Sequence, residues 1–477
     1  MKNEIKITPR SEDYSKWYLD VIAAADLAEN SPVRGCMTIK PNGYSLWEKT
    51  QQVLNEKFKN LGVKNAYFPL FIPEKLIKKE SEHIEGFAPE IAVVTQAGGQ
   101  KLEEPVIIRP TSETIMYEAF SRWIKSYRDL PLLINQWANV VRWELKTKPF
   151  LRTTEFLWQE GHTVHQSERE ADFWARQMLA VYQDFIENYL AIPVISGLKT
   201  ETEKFAGADK TYCLEAIMQD GKALQIATSH HLGQNFSKAF EVTFLDQKQE
   251  RHFAWQTSWG LSTRAIGGLI MTHSDDRGLV LPPKMASLHF VIVTIYKNKE
   301  EKDKIDKKAF EIKERIVSLG YQCEVDNEDE RAGEKFYKWE KRGVPVRLEI
   351  GLKELEKREV VLARRDNSEK RVIKEQEIEK KVKDILIEIQ SFLFERAKNF
   401  LKEKTVRVDS WSDFKKQIET GCFVLAHWSG TAQVEQEIKK ETGATIRCLP
   451  FEEKEEKGLC LKSGASSKKR VLFAKAY

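Results

Sequence analysis

Two stretches, 132–145 and 155–165, flank the basic run Lys146-Thr147-Lys148-Pro149-Phe150-Leu151-Arg152. They read as an antiparallel hairpin, and along a strand every second residue shares a face. Alternation puts Arg142 and Glu144 on one face, with Val141, Trp143 and Leu145 on the other. On the returning strand Phe156, Trp158, Glu160 and His162 share a face, opposed by Leu157, Gln159 and Gly161. One face therefore carries a guanidinium, two carboxylates, an imidazole and two aromatic rings. That composition is poor for a core and good for a ligand that is both charged and flat, because rings set between charges are costly to leave in water. The plainer alternative is a solvated sheet face.

Three further runs hold chemistry. Arg109-Pro110-Thr111-Ser112-Glu113 stands where a strand meets a helix start, although an ordinary N-cap with a first-turn acid reads the same way. In Thr228-Ser229-His230-His231-Leu232-Gly233 the two histidines are neighbours on a strand, so they point to opposite faces and a shared metal is not expected. Trp259-Gly260-Leu261-Ser262-Thr263-Arg264, followed by Gly267-Gly268, is a glycine-rich approach to a helix with arginine in its first turn, which suits close packing and an anion near the helix end. No Gly-x4-Gly-Lys-Ser/Thr phosphate loop occurs.

These residues need a scaffold, and 477 residues predict two to four domains. Helices are expected over 12–28, over 44–61 after the Pro41-Asn42-Gly43 turn, and over 168–190 behind a Ser167/Glu170 capping box. Strands are expected at 66–72 (an edge or subunit boundary, given Pro69) and near 192–199, 223–228 and 240–245; 258–273 reads as a helix. After Pro282-Pro283 the pattern changes to a compact α/β unit: strand, helix 303–319, strand, helix 332–341, strand, short helix, strand. A helix over about 374–403 carries Ile378, Val382, Ile385, Ile389, Phe392, Arg396 and Phe400 near heptad spacing and reads as a packed linker rather than a free coiled coil. A small polar α/β tail closes the chain. The expected divisions are 1–285, 286–370, 371–405 and 406–477.

Lys and Arg total 76 against 72 Asp and Glu, a net +4, which neither announces nor excludes a nucleic-acid partner. No run is apolar enough for a membrane span, and the opening residues lack the apolar stretch of a secretion signal. Six scattered cysteines do not make a disulfide scaffold, so a cytoplasmic protein is expected.

Taken together, the runs resemble class II prolyl-tRNA synthetases of the archaeal and eukaryotic-like type. Arg142-x-Glu144, a loop, then Arg152-x-x-x-Phe156 is similar to that class's second motif; Gly260-Leu-Ser-Thr-Arg264 is similar to its third, and the segment ending at Pro69 to its first. RPTSE (109–113), FLWQEGHTVH (156–165), KFAGAD (204–209), TSHHLGQNFSK (228–238), GLSTRAIGG (260–268) and GVPVRLEIG (343–351) carry the closer match, which covers nearly the whole chain. The resemblance implies an α+β catalytic domain on an antiparallel sheet with flanking helices, an α/β anticodon-binding domain, a linker helix and a small α/β C-terminal domain. It also implies ATP-dependent attachment of proline to tRNA(Pro) in two steps through an enzyme-bound prolyl-adenylate, with Mg²⁺, in a homodimer. Some 90 residues between His165 and Trp259 leave no room for the bacterial editing insertion.

By the same resemblance Arg142 meets the proline carboxylate and the α-phosphate of ATP, Glu144 the adenine amino group, and Phe156 the adenine face. Arg152 and Arg264 hold the terminal phosphates from two sides, while Gln225 and Thr228 lie along the ribose and the amino acid. Thr111 and Glu113 meet the secondary ammonium; Trp158, Glu160, His162 and Phe205 wall the ring, with Ser262 beside the substrate; and Glu340, Arg347 and Lys353 read the anticodon. Competing readings are a sister enzyme for threonine, histidine or glycine, and a non-catalytic RNA-binding paralogue. A threonine enzyme needs a Cys/His₂ zinc, for which no triad is evident, and a pseudoenzyme would be expected to have lost the three arginines. Many relatives also hold a structural zinc in the tail with four cysteines. The corresponding positions here are Ser429, Val434, Cys460 and Ser463, so no structural zinc is expected. Cys422 and Cys448 are expected to be small buried hydrophobes.

Overall fold

The computed structural model describes residues 6–77 and 91–477. The hairpin forms as expected, as β2 (Leu132–Val141) and β3 (Glu155–His165), paired without a break from Leu132↔Val164 to Val141↔Glu155. With β1 (Lys64–Asn65), β4 (Ile195–Leu198), β5 (Lys210–Ile217), β6 (Ala223–Gly233) and β7 (Trp255–Ser262) it builds a sheet in the order β1-β2-β3-β7-β6-β5-β4, antiparallel except at β1–β2. Gly161 on β3 faces Trp259 on β7, and a Cβ there would collide with the indole. The missing side chain lets Trp259 lie flat on the sheet and join the core.

Helices cover that side of the sheet: α1 (Tyr14–Ala24), α2 (Pro41–Asn60) and α4 (Glu168–Asn188), with α3 (Glu113–Trp123) and α5 (Arg264–His273) at the ends of strands. On α2 the buried positions Leu46, Trp47, Thr50, Val53, Leu54 and Phe58 recur at helical spacing and meet Tyr182, Phe185 and Trp259 in the main core. The opposite sheet face keeps its polar residues.

Several expectations change. Helix α1 ends at Ala24 rather than 28, because Asp26 takes a left-handed φ of 56° and Ala28–Asn30 turns into a strand. Helix α2 starts at Pro41 rather than 44, since proline's fixed φ suits the first helical position. The run 66–72 is a strand only at Phe71–Pro73, in a separate three-stranded sheet with Ala92–Ala97 and Gln100–Ile108. Before it, Phe68 N donates to the side chain of Gln136 at 2.5 Å and Phe68 O accepts from Arg109 at 2.7 Å, while Pro69 has no N–H to give a ladder. The 258–273 helix is a strand as far as Ser262 and a helix only from Arg264. The expected strand at 132–145 stops at Val141, so Arg142 and Glu144 lie on the turn beyond it, and the strand near 240–245 covers only Thr243–Leu245.

The second unit is β8 (Phe290–Ile295), α6 (Lys299–Ser318), β9 (Cys323–Asp326), α7 (Ala332–Arg342), β10 (Val346–Gly351), β11 (Glu359–Arg364) and β12 (Lys370–Lys374). Its sheet runs β9-β8-β10-β11-β12, parallel through the first three strands. Helix α8 (Ile378–Lys404) packs against it through Ile378, Val382, Ile385, Ile389 and Leu393. Phe392, on the heptad register, is 40% exposed while its neighbour Leu393 is buried. The stripe drifts as a straight 3.6-residue helix does, consistent with packing and not with a supercoil.

The tail comprises β13 (Thr405–Arg407), α9 (Trp411–Glu419), β14 (Phe423–His427), α10 (Ala432–Thr442), β15 (Thr445–Pro450) and β16 (Arg470–Ala474). Its strands run β13-β14-β16-β15, and Leu449 and Pro450 at the end of β15 pair with Leu198 and Gly197 of β4. One eleven-stranded sheet thus joins the tail to the large unit. Cys422 and Cys448 are buried among apolar side chains, and Tyr477 returns to the large unit, its hydroxyl donating to Asp220 at 2.7 Å.

Candidate active site

A cavity of 310 Å³ opens on the polar face of β3, β7 and β6. Thr111, Glu113, Arg142, Phe156, Trp158, Glu160, His162, Phe205, Gln225, Thr228, Ser262 and Arg264 all line it. Glu144 and Arg152 line an adjoining cavity of 210 Å³, which shares Arg142, Phe156, Ser262 and Arg264 with the first. Residues from five separate stretches of sequence therefore converge, because the ends of α3, the hairpin turn, β6, β7 and the β4–β5 loop meet over one sheet face.

At one end the walls are carboxylates and rings. Glu160 is buried, yet Ser112 Oγ donates to it at 2.5 Å, Gln136 Nε2 at 2.8 Å and His162 Nε2 at 3.2 Å. Nδ1 of His162 meets the Tyr117 hydroxyl at 2.9 Å, so both ring nitrogens are used. Glu113, also buried, accepts from the hydroxyl of Thr111. Phe205 lies over His230 with ring centroids 4.7 Å apart. Thr211 Oγ1 accepts from Phe205 N at 2.9 Å and meets His230 Nδ1 at 2.9 Å. Two buried carboxylates among flat apolar walls suit a small cation with an aliphatic body.

At the other end guanidiniums converge. Arg142 donates from Nε to Pro110 O at 3.0 Å, and its guanidinium lies 5.5 Å from the Phe156 ring and 5.6 Å from Trp158. Arg264 donates from Nε to Leu151 O at 3.1 Å, and its backbone N–H to Ser262 Oγ at 3.2 Å. Arg152 sits 3.5 Å from Glu144. Burial, then the charges of Arg142 and Arg152, lower the Arg264 pKa to about 10, so it stays charged at neutral pH. Three like charges held around one space are poised for a polyanion.

Sequence reasoning missed Ser112, Tyr117, Gln136, Thr211 and His230 as contributors. The hairpin register held a signal for one of them, since Gln136 stands directly across from Glu160. The two-face argument for His230 and His231 held another. His230 does line the cavity, while His231 packs on the far side by Trp255. In the second unit Arg347 is buried, 4.0 Å from the Phe336 ring, and donates to Glu349 at 2.9 Å and to Glu340 at 3.2 Å. Lys353 is exposed on the short helix Leu352–Lys357.

Burial also sets a pH dependence. It lowers His165 to about 3, helped by His231, and His273 to about 3, helped by Arg396; His230 falls to about 4, with Glu113 opposing and His162 adding. The unfolded chain takes up these protons near pH 6.5 and the fold does not, so stability is full above 6.5 and is lost as pH falls toward 4. Stability at pH 5.5 is expected to be about 4 kcal/mol below that at pH 8. Denaturant midpoints unchanged between those pH values would contradict this.

The model of the tRNA synthetase class II core domain (G, H, P, S and T) matches residues 94–273, that of the anticodon binding domain 289–385, and that of the prolyl-tRNA synthetase C-terminal domain 411–477. Fold and site thus define a class II aminoacyl-tRNA synthetase. The chain is 53% identical to the proline--tRNA ligase of Porphyromonas gingivalis over 100% of both chains, and 54% identical to that of Chloroherpeton thalassium over 99% of both. The proline--tRNA ligase of Phocaeicola vulgatus is 53% identical, again over 100% of both. The chain belongs to the proline--tRNA ligase family.

Proposed function

We propose that this chain attaches proline to tRNA(Pro) at the expense of ATP, through a prolyl-adenylate made in the paired cavities. The observation that carries the reading is one continuous site with a carboxylate-and-ring end, a three-arginine end and Phe156 between them. Proline's secondary ammonium goes to Glu113 and Thr111, and its ring lies between Trp158, Phe205 and the Glu160–His162 pair. The carboxylate faces Arg142, adenine stacks on Phe156 beside Glu144, Gln225 and Thr228 line the ribose side with Ser262 by the substrate, and the phosphates lie between Arg152 and Arg264. The first step joins a proline carboxylate oxygen to the α-phosphorus as pyrophosphate leaves. The nucleophile is already an anion, so the protein's task is alignment and fixed positive charge. Among the described residues Glu144 is the carboxylate lining the arginine end, and Mg²⁺ entering with the nucleotide would add charge neutralisation there.

The similarity along the full length favours proline over threonine, histidine or glycine, and the three arginines favour a working enzyme over an RNA-binding paralogue. Exchange of labelled pyrophosphate into ATP should depend on proline and not on those three amino acids. No proline-dependent exchange would overturn the reading.

In this reading residues 1–285 form the catalytic domain, 286–370 the anticodon-binding domain, 371–405 a linker and 406–477 the C-terminal domain, with Glu340, Arg347 and Lys353 toward the anticodon bases. Among the described residues no helix is long and apolar enough to cross a membrane, and we place the enzyme in the cytoplasm. Around Pro69 the chain exposes large apolar side chains: Tyr67, Phe71, Val93 and Trp123, the first of them 72% exposed. Such a patch fits a subunit interface, and a homodimer of twice the 55.3 kDa chain mass is expected by light scattering at micromolar concentration. Trp123→Glu should shift it toward monomer, and a monomeric wild type would rule the dimer out.

The surroundings of Cys460 and Val434 in the tail support a zinc-free domain. Burial raises the Cys460 thiol's pKa, but hydrogen bonds from the Ser463 side chain and from backbone groups of Ser463, Lys462 and Ser429 together bring it below the usual thiol range. Val434 packs in the same apolar cluster as Cys460. Packing and hydrogen bonds thus occupy the positions that a metal would otherwise tie together. EDTA should leave the melting temperature unchanged; stoichiometric zinc by elemental analysis would refute this.

A further inference from the structure

The loop 199–209 between β4 and β5 brings Glu203 and Phe205 to the cavity wall. Its far end packs into the large unit, where Ala208 is buried and Phe205 lies against the same apolar cluster, while its near end, around Thr200–Lys204, takes its shape from hydrogen bonds. Backbone N–H groups of Glu203 and Lys204 donate to Thr200 O at 3.2 and 2.9 Å, so Thr200 is the base of the turn. That base is held from the tail: Thr200 Oγ1 donates to Glu435 Oε1 at 2.9 Å, and Thr202 Oγ1 to Glu435 Oε2 at 2.6 Å. Glu435 lies on α10 and is only 4% exposed. A buried carboxylate is costly and contributes little as packing, since an apolar residue of similar volume would fill the same space without the desolvation. Among the described residues no cation pairs with it. Its two oxygens are spent on two hydroxyls of one loop, which fixes that loop at two points.

We propose that Glu435 is a positioning residue: through Thr200 and Thr202 it holds the 199–209 loop so that Phe205 closes the amino-acid end of the cavity. The tail domain thereby sets affinity for the amino acid without touching it. This rests on the proline reading above for the identity of the ligand, but the clamp itself does not.

The test uses the full chain. In pyrophosphate exchange, Glu435→Ala is expected to raise KM for proline about tenfold, the worth of one hydrogen bond to a charged group, with KM for ATP changed less than about twofold. Thr202→Val, on the exposed side of the loop and away from the tail's core, should move KM for proline in the same direction. Glu435→Gln should restore it to within about twofold of wild type, because the amide still accepts from one hydroxyl and donates to the other. Hydrogen–deuterium exchange of the 199–209 backbone, measured without ligands, should be faster in Glu435→Ala. Unchanged KM for proline in both Glu435→Ala and Thr202→Val, or equal rises in KM for proline and ATP, would overturn the proposal. Unchanged loop protection would do the same. A wild type without proline-dependent exchange, but with loop protection lost in Glu435→Ala, would leave the clamp standing and remove the proline reading instead.

Discussion

Arg142→Ala lowers amino-acid-dependent pyrophosphate exchange by about 100- to 1000-fold while leaving the fold intact. The side chain lines both cavities, with its guanidinium near the rings of Phe156 and Trp158. It leaves the apolar cores untouched, and its Nε donates to a carbonyl, Pro110 O, at the edge of the site. Truncation therefore takes little packing from the protein but takes a fixed charge from where the five-coordinate phosphorus forms. Arg264 and Arg152 remain, yet neither stands between the two rings, so neither replaces its direction. Arg142→Lys should recover only part of the loss, since an ammonium lacks the planar fork that spans two oxygens. Circular dichroism and melting temperature close to wild type, together with the rate loss, would establish the role. Exchange within tenfold of wild type in the alanine variant would remove Arg142 from the chemistry.

Strand alternation was enough to gather Phe156, Trp158, Glu160 and His162 on one face, because a period of two is fixed by backbone geometry. The turn that follows β2 was not legible in that way. Alternation puts Arg142 and Glu144 on the same face, but the strand ends at Val141 and both reach the site from irregular backbone, where alternation has no force; the motif resemblance is the sounder ground for them. The helix expected at 258–273 shows the reverse error. Glycine and serine near 260–262 weaken any local preference, and pairing of β7 with both β3 and β6 decides for strand. Tyr117 acts on His162, a partner far away in sequence, so no local pattern marks it. The tail joins the main sheet through two residue pairs at the end of β15 and a bridge from Ala476 to Ala223 of β6, and pairings this short leave no signature in composition.

That join gives the largest expected effect on stability. Beside it, Glu215 on β5 is fully buried, with Lys199 Nζ donating to it at 2.9 Å and Arg447 donating from Nε and Nη2 at 3.1 Å each. Lys199 also donates to Arg447 O at 2.7 Å, so the triad ties β5, the start of the 199–209 loop and β15 together. Burial alone would raise the Glu215 pKa, but Lys199 and then Arg447 more than offset it, and the carboxyl is held below the usual range. A depressed carboxyl contributes stability above its unfolded pKa and loses it as pH falls through the folded one, so the triad is fully formed at neutral pH. Glu215→Ala leaves two cations buried against each other without their anion, at a cost of about 3–5 kcal/mol. Calorimetry should show the transition of the large unit lowered by about 10 °C. Glu215→Gln keeps the volume and should lose less. Arg447→Ala should act in the same direction, and its combination with Glu215→Ala should cost less than the two separately, because removing the second charge relieves the first. A Glu215→Ala protein melting within about 2 °C of wild type would mean that water reaches the triad and that the joined sheet does not depend on it.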